Sequence, residues 1–254
     1  MTVETAVGTD TIAGKDVPDP FLTVVVLSGG MDSTTLMAHY AALRHRLVAV
    51  TVDYGQRHRR EIESARRVAA HYDAAHHVLD LSGLGALLSG SALTDKGVDV
   101  PAGHYAEQSM RATVVPNRNA VLANAAVAVA VAHRAGTVAL GMHAGDHFVY
   151  PDCRPAFITA LGELVTVANE GFPTPLVEAP FMTWTKGQIA AHASRLGAPL
   201  ELSWSCYRGG EEHCGTCGTC YERREAFQEA GVPDPTRYVD STTFFAAPPS
   251  AAAQ

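Results

Sequence analysis

The fold of this chain follows from residues 21–35, which read Phe-Leu-Thr-Val-Val-Val-Leu-Ser-Gly-Gly-Met-Asp-Ser-Thr-Thr. An apolar run with three adjacent valines predicts a strand buried on both faces, as in parallel sheets. The run ends at Gly29 and Gly30, where residues without a Cβ let the backbone turn sharply and approach a ligand closely. Asp32, Ser33 and Thr34 are residues that cap helices, so a helix is predicted to follow. Together these features predict an anion site, because backbone N–H groups and the positive helix end point to one place.

The glycine loop differs from the most common phosphate-binding loop. The pattern Gly-x-x-x-x-Gly-Lys-Ser/Thr does not occur in the chain, so the lysine of that loop is missing. Residues 28–33, Ser-Gly-Gly-Met-Asp-Ser, instead resemble the PP-loop of ATP pyrophosphatases, whose pattern is Ser-Gly-Gly-x-Asp-Ser. The resemblance implies that the loop holds the pyrophosphate leaving group of ATP while an acceptor oxygen attacks the α-phosphorus. The alternative is an ordinary strand-to-helix turn built from small residues.

Length and charge limit the classes of function. The 254 residues are enough for one large α/β domain or two small ones. Lys+Arg number 19 against 26 Asp+Glu, a net charge of −7, whereas proteins that hold long nucleic acids by their phosphates are usually basic. We therefore expect a small-molecule substrate and no nucleic-acid partner. The chain contains no apolar run of about 18 residues or signal-peptide pattern, so we expect no membrane span and a cytoplasmic protein.

The apolar pattern predicts a doubly wound α/β fold with a mostly parallel sheet. Further strands are predicted at 47–52, 77–81 and 137–141, and their spacing with intervening helices implies right-handed crossovers. Such sheets bind ligands at the carboxyl ends of strands where the strand order reverses, and Asp53 and the glycine loop both lie at such ends. Asn119 is predicted to cap a helix over 120–134, and Thr185 one that ends before Gly197.

Four segments are predicted along the chain. Residues 82–115 lose periodicity and are rich in Gly, Ser and Asp, which predicts an insertion and a candidate lid within the main domain. The polar start and the Pro/Ala-rich end predict loose termini. The segments are a flexible N-terminal extension (1–20), an ATP-binding α/β domain (21–203), a metal-binding segment packed on it (204–233) and a C-terminal tail (234–254).

A second motif is formed by four cysteines with the spacing Cys-x7-Cys-x2-Cys-x2-Cys: Cys206, Cys214, Cys217 and Cys220. Four thiolates in a glycine-rich loop can surround one tetrahedral zinc at about 2.3 Å, and a complete set of four leaves no open position for catalysis. The predicted ion is therefore structural, and it would clamp the C-terminal helix beside the site. The alternatives are an iron–sulfur cluster and replacement of one thiolate by His213.

Taken together, the motifs resemble the 7-cyano-7-deazaguanine synthase family of the queuosine and deazapurine pathways. The resemblance extends from Leu22 to Pro233. The chain's leader of about twenty residues is longer than the family usually carries. The matching stretches are Leu-Ser-Gly-Gly-Met-Asp-Ser-Thr-Thr (27–35), Asp-Tyr-Gly-Gln-Arg-His (53–58), Val-Pro-Asn-Arg-Asn (115–119), Tyr-Pro-Asp-Cys-Arg-Pro (150–155), Thr-Lys (185–186) and Trp-Ser-Cys-Tyr (204–207) with the cysteines that follow.

The resemblance implies an ATP-dependent C–N ligase. Its members convert 7-carboxy-7-deazaguanine to the nitrile with ATP, ammonia and Zn²⁺. Two activations at one site are implied: an acyl adenylate that ammonia turns into an amide, and a second adenylation of the amide oxygen. The chain contains no glutaminase segment, so ammonia is expected to arrive free. A homodimer is implied as well.

Nucleotide binding is assigned to the glycine loop and to two further residues at strand and helix ends. Backbone donors of the loop would hold pyrophosphate, and Asp32 would position Mg²⁺ or the loop itself, the alternative being a plain helix cap. Asp53 and Asn119 would each contact the ligand, and the alternative for each is that it only caps a helix. The assigned residues are Leu27, Ser28, Gly29, Gly30, Met31, Asp32, Ser33, Thr34, Thr35, Asp53 and Asn119.

Catalytic roles are assigned to Asp32, Lys186 and Arg118. Lys186 would supply countercharge to the developing phosphate charge, and its alternative is an ordinary surface lysine. Arg118 would contact a phosphate or a carboxylate, and its alternative is simple capping of the helix.

Substrate binding is assigned to Gln56, Arg57, Asp152 and Arg154. An aspartate suits the N–H edge of a deazaguanine, and an arginine suits a carboxylate in bidentate fashion. The alternatives are a surface turn for Asp152 and Arg154 and a solvated helix cap for the other two.

Cys153, His143 and His147 receive no assigned catalytic task. Cys153 is predicted to be a small buried hydrophobe, with a direct catalytic or substrate contact as the alternative. The histidines are predicted to be solvated or core residues. Two other functions remain open: a PP-loop sulfur transferase acting on tRNA, which needs accessible cysteines, and a non-catalytic nucleotide-binding module.

Overall fold

The structure is a computed structural model that describes residues 17–85, 87–95, 97–103 and 110–242. Residues 1–16 of the predicted extension, residues 243–254 of the predicted tail and parts of the predicted insertion lie outside the described residues. The strands in the described ranges are Asp19–Val26 (β1), Arg46–Asp53 (β2), Ala75–Asp80 (β3), Ala135–Ala139 (β4) and Leu176–Glu178 (β5).

Helices separate the strands, as the predicted α/β alternation requires. Those described are Met31–Ala42 (α1), Arg60–His71 (α2), the short Ser82–Gly85 (α3), Arg118–His133 (α4), Pro155–Ala168 (α5), Lys186–Leu196 (α6) and Gly218–Ala230 (α7). Among the described residues, no helix combines the length and the apolar character needed to cross a membrane.

The described strands form one parallel sheet in the order β3-β2-β1-β4-β5. β1 lies in the middle, with Val24 opposite Val48 of β2 on one side and Val138 of β4 on the other. The chain moves outward from β1 to β3 and then returns to add β4 and β5 on the other side. The strand order therefore reverses between β1 and β4, which is the place where such sheets bind ligands.

Both faces of β1 are buried, which confirms the prediction from its valines. Val24 and Val25 are fully buried, and they belong to different hydrophobic clusters because neighbouring side chains of a strand point to opposite faces. Val24 packs with residues of α4 such as Ala126, whereas Val25 packs with residues of α1 such as Leu36. Burying each valine contributes about 1.5–3 kcal/mol, so the central strand is firmly fixed beneath the loop that follows it.

Two predicted helix caps are corrected by the structure. The N-cap of α4 is Asn117, whose φ of 59° is left-handed, and Asn119 lies inside the first turn. Asparagine tolerates this conformation better than most residues, so the chain turns at Asn117 rather than at Asn119. The N-cap of α1 is Gly30, and among the described residues no side chain caps that helix.

The predicted start and end of α6 are confirmed. The Thr185 hydroxyl accepts a hydrogen bond from the Gln188 N–H at 3.1 Å, and the Gln188 side chain accepts one from the Thr185 N–H at 2.9 Å, which completes a capping box. The helix ends at Gly197 in the left-handed conformation, with φ of 62°. This cap places Lys186 at the first helical position.

Candidate active site

The turn between β1 and α1 is shaped by Gly29. Its φ of +87° is left-handed, and a Cβ built on it would lie 2.2 Å from the backbone oxygen of Glu61 and 2.8 Å from the nitrogen of Ala65. Only glycine fits this contact with α2. The Gly30 N–H donates to Ser28 Oγ at 3.2 Å, and Ser28 Oγ lies 3.0 Å from Ser33 Oγ. The turn brings the start of α1 to the rim of a cleft, and this arrangement has the form of an anion site.

The cleft lies at the carboxyl ends of β1, β2 and β4, and it brings together many of the predicted site residues. Residues from α4, α6 and α7 complete its walls. The predicted site residues that line it are Leu27, Ser28, Gly30, Met31, Asp32, Ser33, Gln56, Arg118, Asn119 and Lys186.

Lys186 lies among carboxylates at one end of the cleft. Its Nζ is 2.6 Å from Glu222 Oε2 and 3.3 Å from Asp32 Oδ2. Burial alone would lower the pKa of Lys186, but Asp32, Glu222 and Asp146 outweigh burial and raise it well above its ordinary value. Burial also raises the pKa of Glu222, although Lys186 and His143 act against this rise. The lysine is therefore a fixed positive charge beside the glycine loop.

The carboxylate of Asp32 has one oxygen paired and one unpaired. Oδ2 faces Lys186, whereas Oδ1 is buried and forms no hydrogen bond with any of the described residues. A buried carboxylate oxygen without a donor is costly unless a cation or water meets it. Mg²⁺ prefers oxygen ligands and is commonly held by one or two carboxylates together with substrate phosphates. Asp32 and the neighbouring Asp146 therefore fit a magnesium ion carried by a nucleotide.

His143 lies next to the carboxylates of Asp32 and Asp146. It was predicted to be solvated or a core residue, and it is buried. Its Nδ1 accepts a hydrogen bond from the Gly145 N–H at 3.1 Å, so the neutral ring carries its proton on Nε2. Nε2 lies 3.4 Å from Asp146 Oδ2 and 3.9 Å from Asp32 Oδ2. His143 thus lies beside the two carboxylates that face the cleft.

Arg118 and Glu61 occupy another wall of the cleft. Burial alone would lower the pKa of Arg118, but Tyr54, Tyr207 and Tyr150 nearby raise it, so the guanidinium remains charged. Burial raises the pKa of Glu61 to about 7, and the charge of Arg118 partly opposes that rise.

Asn119 connects the start of α4 to the loop that contains Cys153. Its backbone N–H donates to Asp152 Oδ2 at 2.9 Å, and its side-chain Nδ2 donates to Cys153 Sγ at 3.1 Å. Asp152 therefore supports the N-terminus of α4 and does not line the cleft, whereas the buried Cys153 does. Burial, followed by the charges of Asp146 and Asp152, raises the pKa of the Cys153 thiol.

Several predicted site residues make local contacts outside the cleft. Asp53 accepts from the Gly55 N–H at 3.1 Å and pairs with Arg59 at 2.8 Å. Arg57 donates to the backbone oxygens of Ala92 and Val98, and thereby holds part of the predicted insertion. The other residues outside the cleft lining are Gly29, Thr34, Thr35, Asp152 and Arg154, the last of which is exposed.

The four predicted cysteines lie together. One sulfur atom from each lies within 4.8 Å of the others, and Cys217 Sγ is 3.4 Å from Cys220 Sγ. Backbone N–H groups point at the sulfurs, such as those of Thr216 and Cys217 at 3.4 and 3.3 Å from Cys214 Sγ. Such donors favour thiolates, so the group fits a tetrahedral, sulfur-bound metal ion.

His213 is not needed as a ligand of this cluster. Its Nε2 accepts a hydrogen bond from the Ser205 N–H at 3.0 Å, and its ring lies over Trp204 with the centroids 4.2 Å apart. The cluster of four thiolates is therefore complete without the imidazole.

The cysteine segment also contacts the glycine loop. The Trp204 N–H donates to the Gly29 carbonyl at 2.8 Å. Cys220 and Glu222 lie two residues apart in the first turns of α7, so the helix anchored by the cluster carries the carboxylate that pairs with Lys186. The buried Arg223 holds the same helix to Ser203 and Ser205 at 2.9 and 3.1 Å.

Many residues that line the cleft had no predicted role, among them Tyr54, Glu61, Asp146 and Glu222. Two of them carried a signal. Asp146 follows the fourth strand, where ligands bind in such sheets, and Glu222 lies two residues after Cys220, a predicted metal ligand. Tyr54 and Glu61 come from a strand end and a helix start whose facing side chains the sequence pattern does not show.

Comparison with known families gives a match over most of the chain. The profile of the queuosine biosynthesis protein QueC family matches residues 22–231. The 7-cyano-7-deazaguanine synthase of Rhizobium johnstonii is 52% identical over 226 residues, covering 89% of this chain and 95% of its own. The enzyme of the same name from Agrobacterium fabrum is 50% identical over 233 residues, covering 91% and 98%.

Solved structures with a similar fold are more distant. An NH3-dependent NAD synthetase from Campylobacter jejuni, in complex with the nitrate ion, is 15% identical with a TM-score of 0.42, covering 71% of this chain and 66% of its own. A 4-thiouridine synthetase in an RNA complex with bound ATP is 16% identical with a TM-score of 0.45, covering 85% and 47%.

Proposed function

Since the chain belongs to the QueC family of queuosine biosynthesis proteins, we propose that it converts 7-carboxy-7-deazaguanine and ammonia to 7-cyano-7-deazaguanine with ATP. One observation carries the proposal within the molecule. The open start of α1 and the fixed charge of Lys186 line the same cleft, so a triphosphate on the loop would meet a cation. The geometry therefore favours a reaction in which pyrophosphate leaves.

The first half of the reaction forms an amide. A carboxylate oxygen of the substrate attacks the α-phosphorus of ATP, and the bond from that phosphorus to the oxygen bridging it to the β-phosphate breaks. Pyrophosphate departs, and the product of this step is an acyl adenylate. Ammonia then attacks the acyl carbon, loses a proton, and displaces AMP. The N–H groups of the glycine loop would hold the departing pyrophosphate, and Lys186 would offset its growing negative charge.

The second half forms the nitrile at the same site. The amide oxygen attacks the α-phosphorus of a second ATP and releases pyrophosphate. The nitrogen then loses two protons as AMP departs, and the carbon–nitrogen triple bond remains. Both halves need the same loop, the same cation and the same orientation of the heterocycle. Arg118, the second cation that the proposal uses besides Lys186, would contact the substrate carboxylate.

Two metal ions belong to the proposal. Asp32, with Asp146 beside it, would hold Mg²⁺, which when bound supplies positive charge to the phosphates. Cys206, Cys214, Cys217 and Cys220 would hold one structural Zn²⁺. Gln56 lines the cleft and is the predicted substrate contact that the geometry supports, with its side chain held by the Tyr54 N–H at 2.9 Å.

We also propose a cytoplasmic homodimer that takes up free ammonia. Exposed apolar side chains support self-association: Leu164, Val167, Phe172 and Leu176 lie on or near α5 and β5 at one edge of the sheet. Light scattering on the purified chain should give twice the monomer mass, and Val167→Asp should shift it toward the monomer. A monomeric wild type would refute the dimer without affecting the ligase proposal.

A mass-spectrometric assay tests the ligase directly. The purified chain, with ATP, Mg²⁺, ammonium and 7-carboxy-7-deazaguanine, should yield the nitrile, with two AMP formed per nitrile. Omitting the carboxylate compound should abolish AMP formation. If the amide accumulates and no nitrile forms, the second activation is wrong. If neither product forms and the sample holds zinc and binds ATP, the substrate is wrong.

A further inference from the structure

Glu61 lines the cleft and has no task in the reaction described so far. Its carboxyl forms no hydrogen bond or ion pair within 4.0 Å with any described residue. The other acidic groups of the cleft are engaged: Asp32 and Glu222 by Lys186, and Asp146 by His143. The Glu61 side chain is partly buried, and a poorly solvated carboxylate without donors is costly, so a ligand that fills the cleft should supply them.

The position of Glu61 is fixed by the backbone. It lies in the first turn of α2, and its carbonyl packs so closely against Gly29 that a Cβ there would lie 2.2 Å away. The close backbone contact places Glu61 directly beside the glycine loop. Burial raises the pKa of its carboxyl to about 7, which agrees with a poorly solvated group that has no hydrogen-bond donor among the described residues.

The chemistry of the possible ligands decides what this carboxylate meets. It would repel the triphosphate of ATP and the carboxylate of the substrate. The heterocycle of the proposed substrate, in contrast, offers a ring N–H beside a 2-amino group, which is a pair of donors that a carboxylate can accept in bidentate fashion. Around that ring, the carboxylate at C7 comes first, then the carbonyl oxygen, then these donors. Arg118 and Glu61 both line the cleft, so a cation for that carboxylate and an acceptor for these donors are present in the same cleft.

We propose that Glu61 is a specificity-determining residue that accepts hydrogen bonds from the ring N–H and the 2-amino group of the deazaguanine. This inference rests on the proposed function, because it takes the substrate from it. It also reassigns the recognition of the N–H edge, predicted for Asp152, to a residue that lines the cleft.

Binding of two neutral bases tests the inference without catalysis. Calorimetry would compare 7-deazaguanine with 7-deazahypoxanthine, which lacks the 2-amino group, on the full-length chain. Wild type should bind 7-deazaguanine about 10- to 100-fold more tightly, the effect expected for a hydrogen bond to a charged group. Glu61→Gln should reduce this ratio to about threefold or less, because an amide cannot accept from both donors. Glu63→Gln is the matched control, since Glu63 is exposed on the same helix and pairs with Arg66 at 3.2 Å.

The outcomes separate this inference from the proposed function. If wild type binds neither base, the proposed substrate class fails. If wild type discriminates and Glu61→Gln discriminates equally, only the role of Glu61 fails. A Glu61→Gln enzyme that loses turnover but keeps the base preference would make Glu61 a proton acceptor and overturn the inference. Glu61→Asp, which keeps the charge but retracts it, should weaken 7-deazaguanine binding while ATP binding stays unchanged.

Discussion

In the proposed reaction, Lys186 has both a catalytic and a structural role. It is the cation that faces the glycine loop, and it also balances Glu222 and Asp32. Replacing it by methionine should lower the rate of pyrophosphate release by about 100-fold or more, because the transition-state charge loses its partner. The free energy of unfolding should fall as well, by about 3 kcal/mol, since a buried carboxylate remains uncompensated. Pyrophosphate assays and urea unfolding measure the two effects.

A double substitution separates these two parts. Lys186→Met with Glu222→Gln should recover most of the lost stability and none of the lost rate, because the uncompensated charge is removed but no cation returns. Arg195→Ala, on the exposed side of the same helix, serves as the control and should change neither quantity. Recovery of turnover in the double variant would show that Lys186 only balances Glu222.

Glu61 should make stability depend on pH. Its folded pKa of about 7 lies above the ordinary 4.5, with Arg118 and Tyr54 as its charged or titratable neighbours. Below the ordinary value both states are protonated; as the pH rises through 7 the unfolded chain ionises more readily, so the folded state loses stability. Relative to Glu61→Gln, wild type should lose about 2 to 3 kcal/mol between about pH 5 and about pH 8. Chemical denaturation at several pH values measures this loss. If the free energy of unfolding changes equally with pH in the two proteins, Glu61 is well solvated.

At the scale of elements, the glycine turn depends on its contact with α2. Gly29→Ala places a Cβ against backbone atoms of Glu61 and Ala65, and it does so at a left-handed φ. We expect a loss of about 1–3 kcal/mol of stability from strain and, more sharply, a loss of ATP binding as the turn opens. Gly83→Ala is the control, because a Cβ there meets nothing within 4 Å. Calorimetry with ATP should show normal binding for the control only; normal binding by Gly29→Ala would rule out this geometry.

The elements were largely predictable because their signals are local. The valines of β1, the capping box at Thr185 and the Gly197 stop each follow from a few neighbouring residues. The cap of α4 was misplaced by two residues because both Asn117 and Asn119 can cap, and the choice depends on the turn before them. The sequence pattern of a helix shows its buried face, but it does not show at which of two similar residues the helix begins.

The side chains of the site were predicted less completely, for a physical reason. The cysteine cluster and the glycine loop are contiguous motifs, and their members do lie together. Glu222 and Glu61 reach the cleft from segments far apart in sequence, so only the three-dimensional packing reveals them. Arg57, in a motif like those of the family, contacts the backbone of Ala92 and Val98 instead of the cleft. A motif indicates that a residue matters and does not state which partner it contacts.

At the scale of the whole molecule, the cysteine segment and the glycine loop act as one unit. The hydrogen bond from Trp204 to Gly29 holds the loop from outside the sheet, and α7 brings Glu222 to Lys186. Arg223 fastens that helix to Ser203 and Ser205. The four cysteines do not line the cleft, although residues next to them in sequence do. Any effect of the cluster on the proposed reaction must therefore pass through these contacts.

Removal of the metal should therefore loosen the active site at a distance. Chelation, or Cys217→Ser, should increase hydrogen exchange at residues 218–224 and at the 28–34 loop by about tenfold or more, because α7 and Trp204 lose their anchor. Exchange in β3, at the far edge of the sheet, should stay unchanged, since β3 lies two strands away from β1 and the loop that follows it. Cys153→Ser is the matched control: this thiol lies outside the cluster, so metal content and the protection of α7 should match wild type. If the loop keeps its protection while α7 loses it, the two regions are independent. In that case the metal serves only the fold of its own segment.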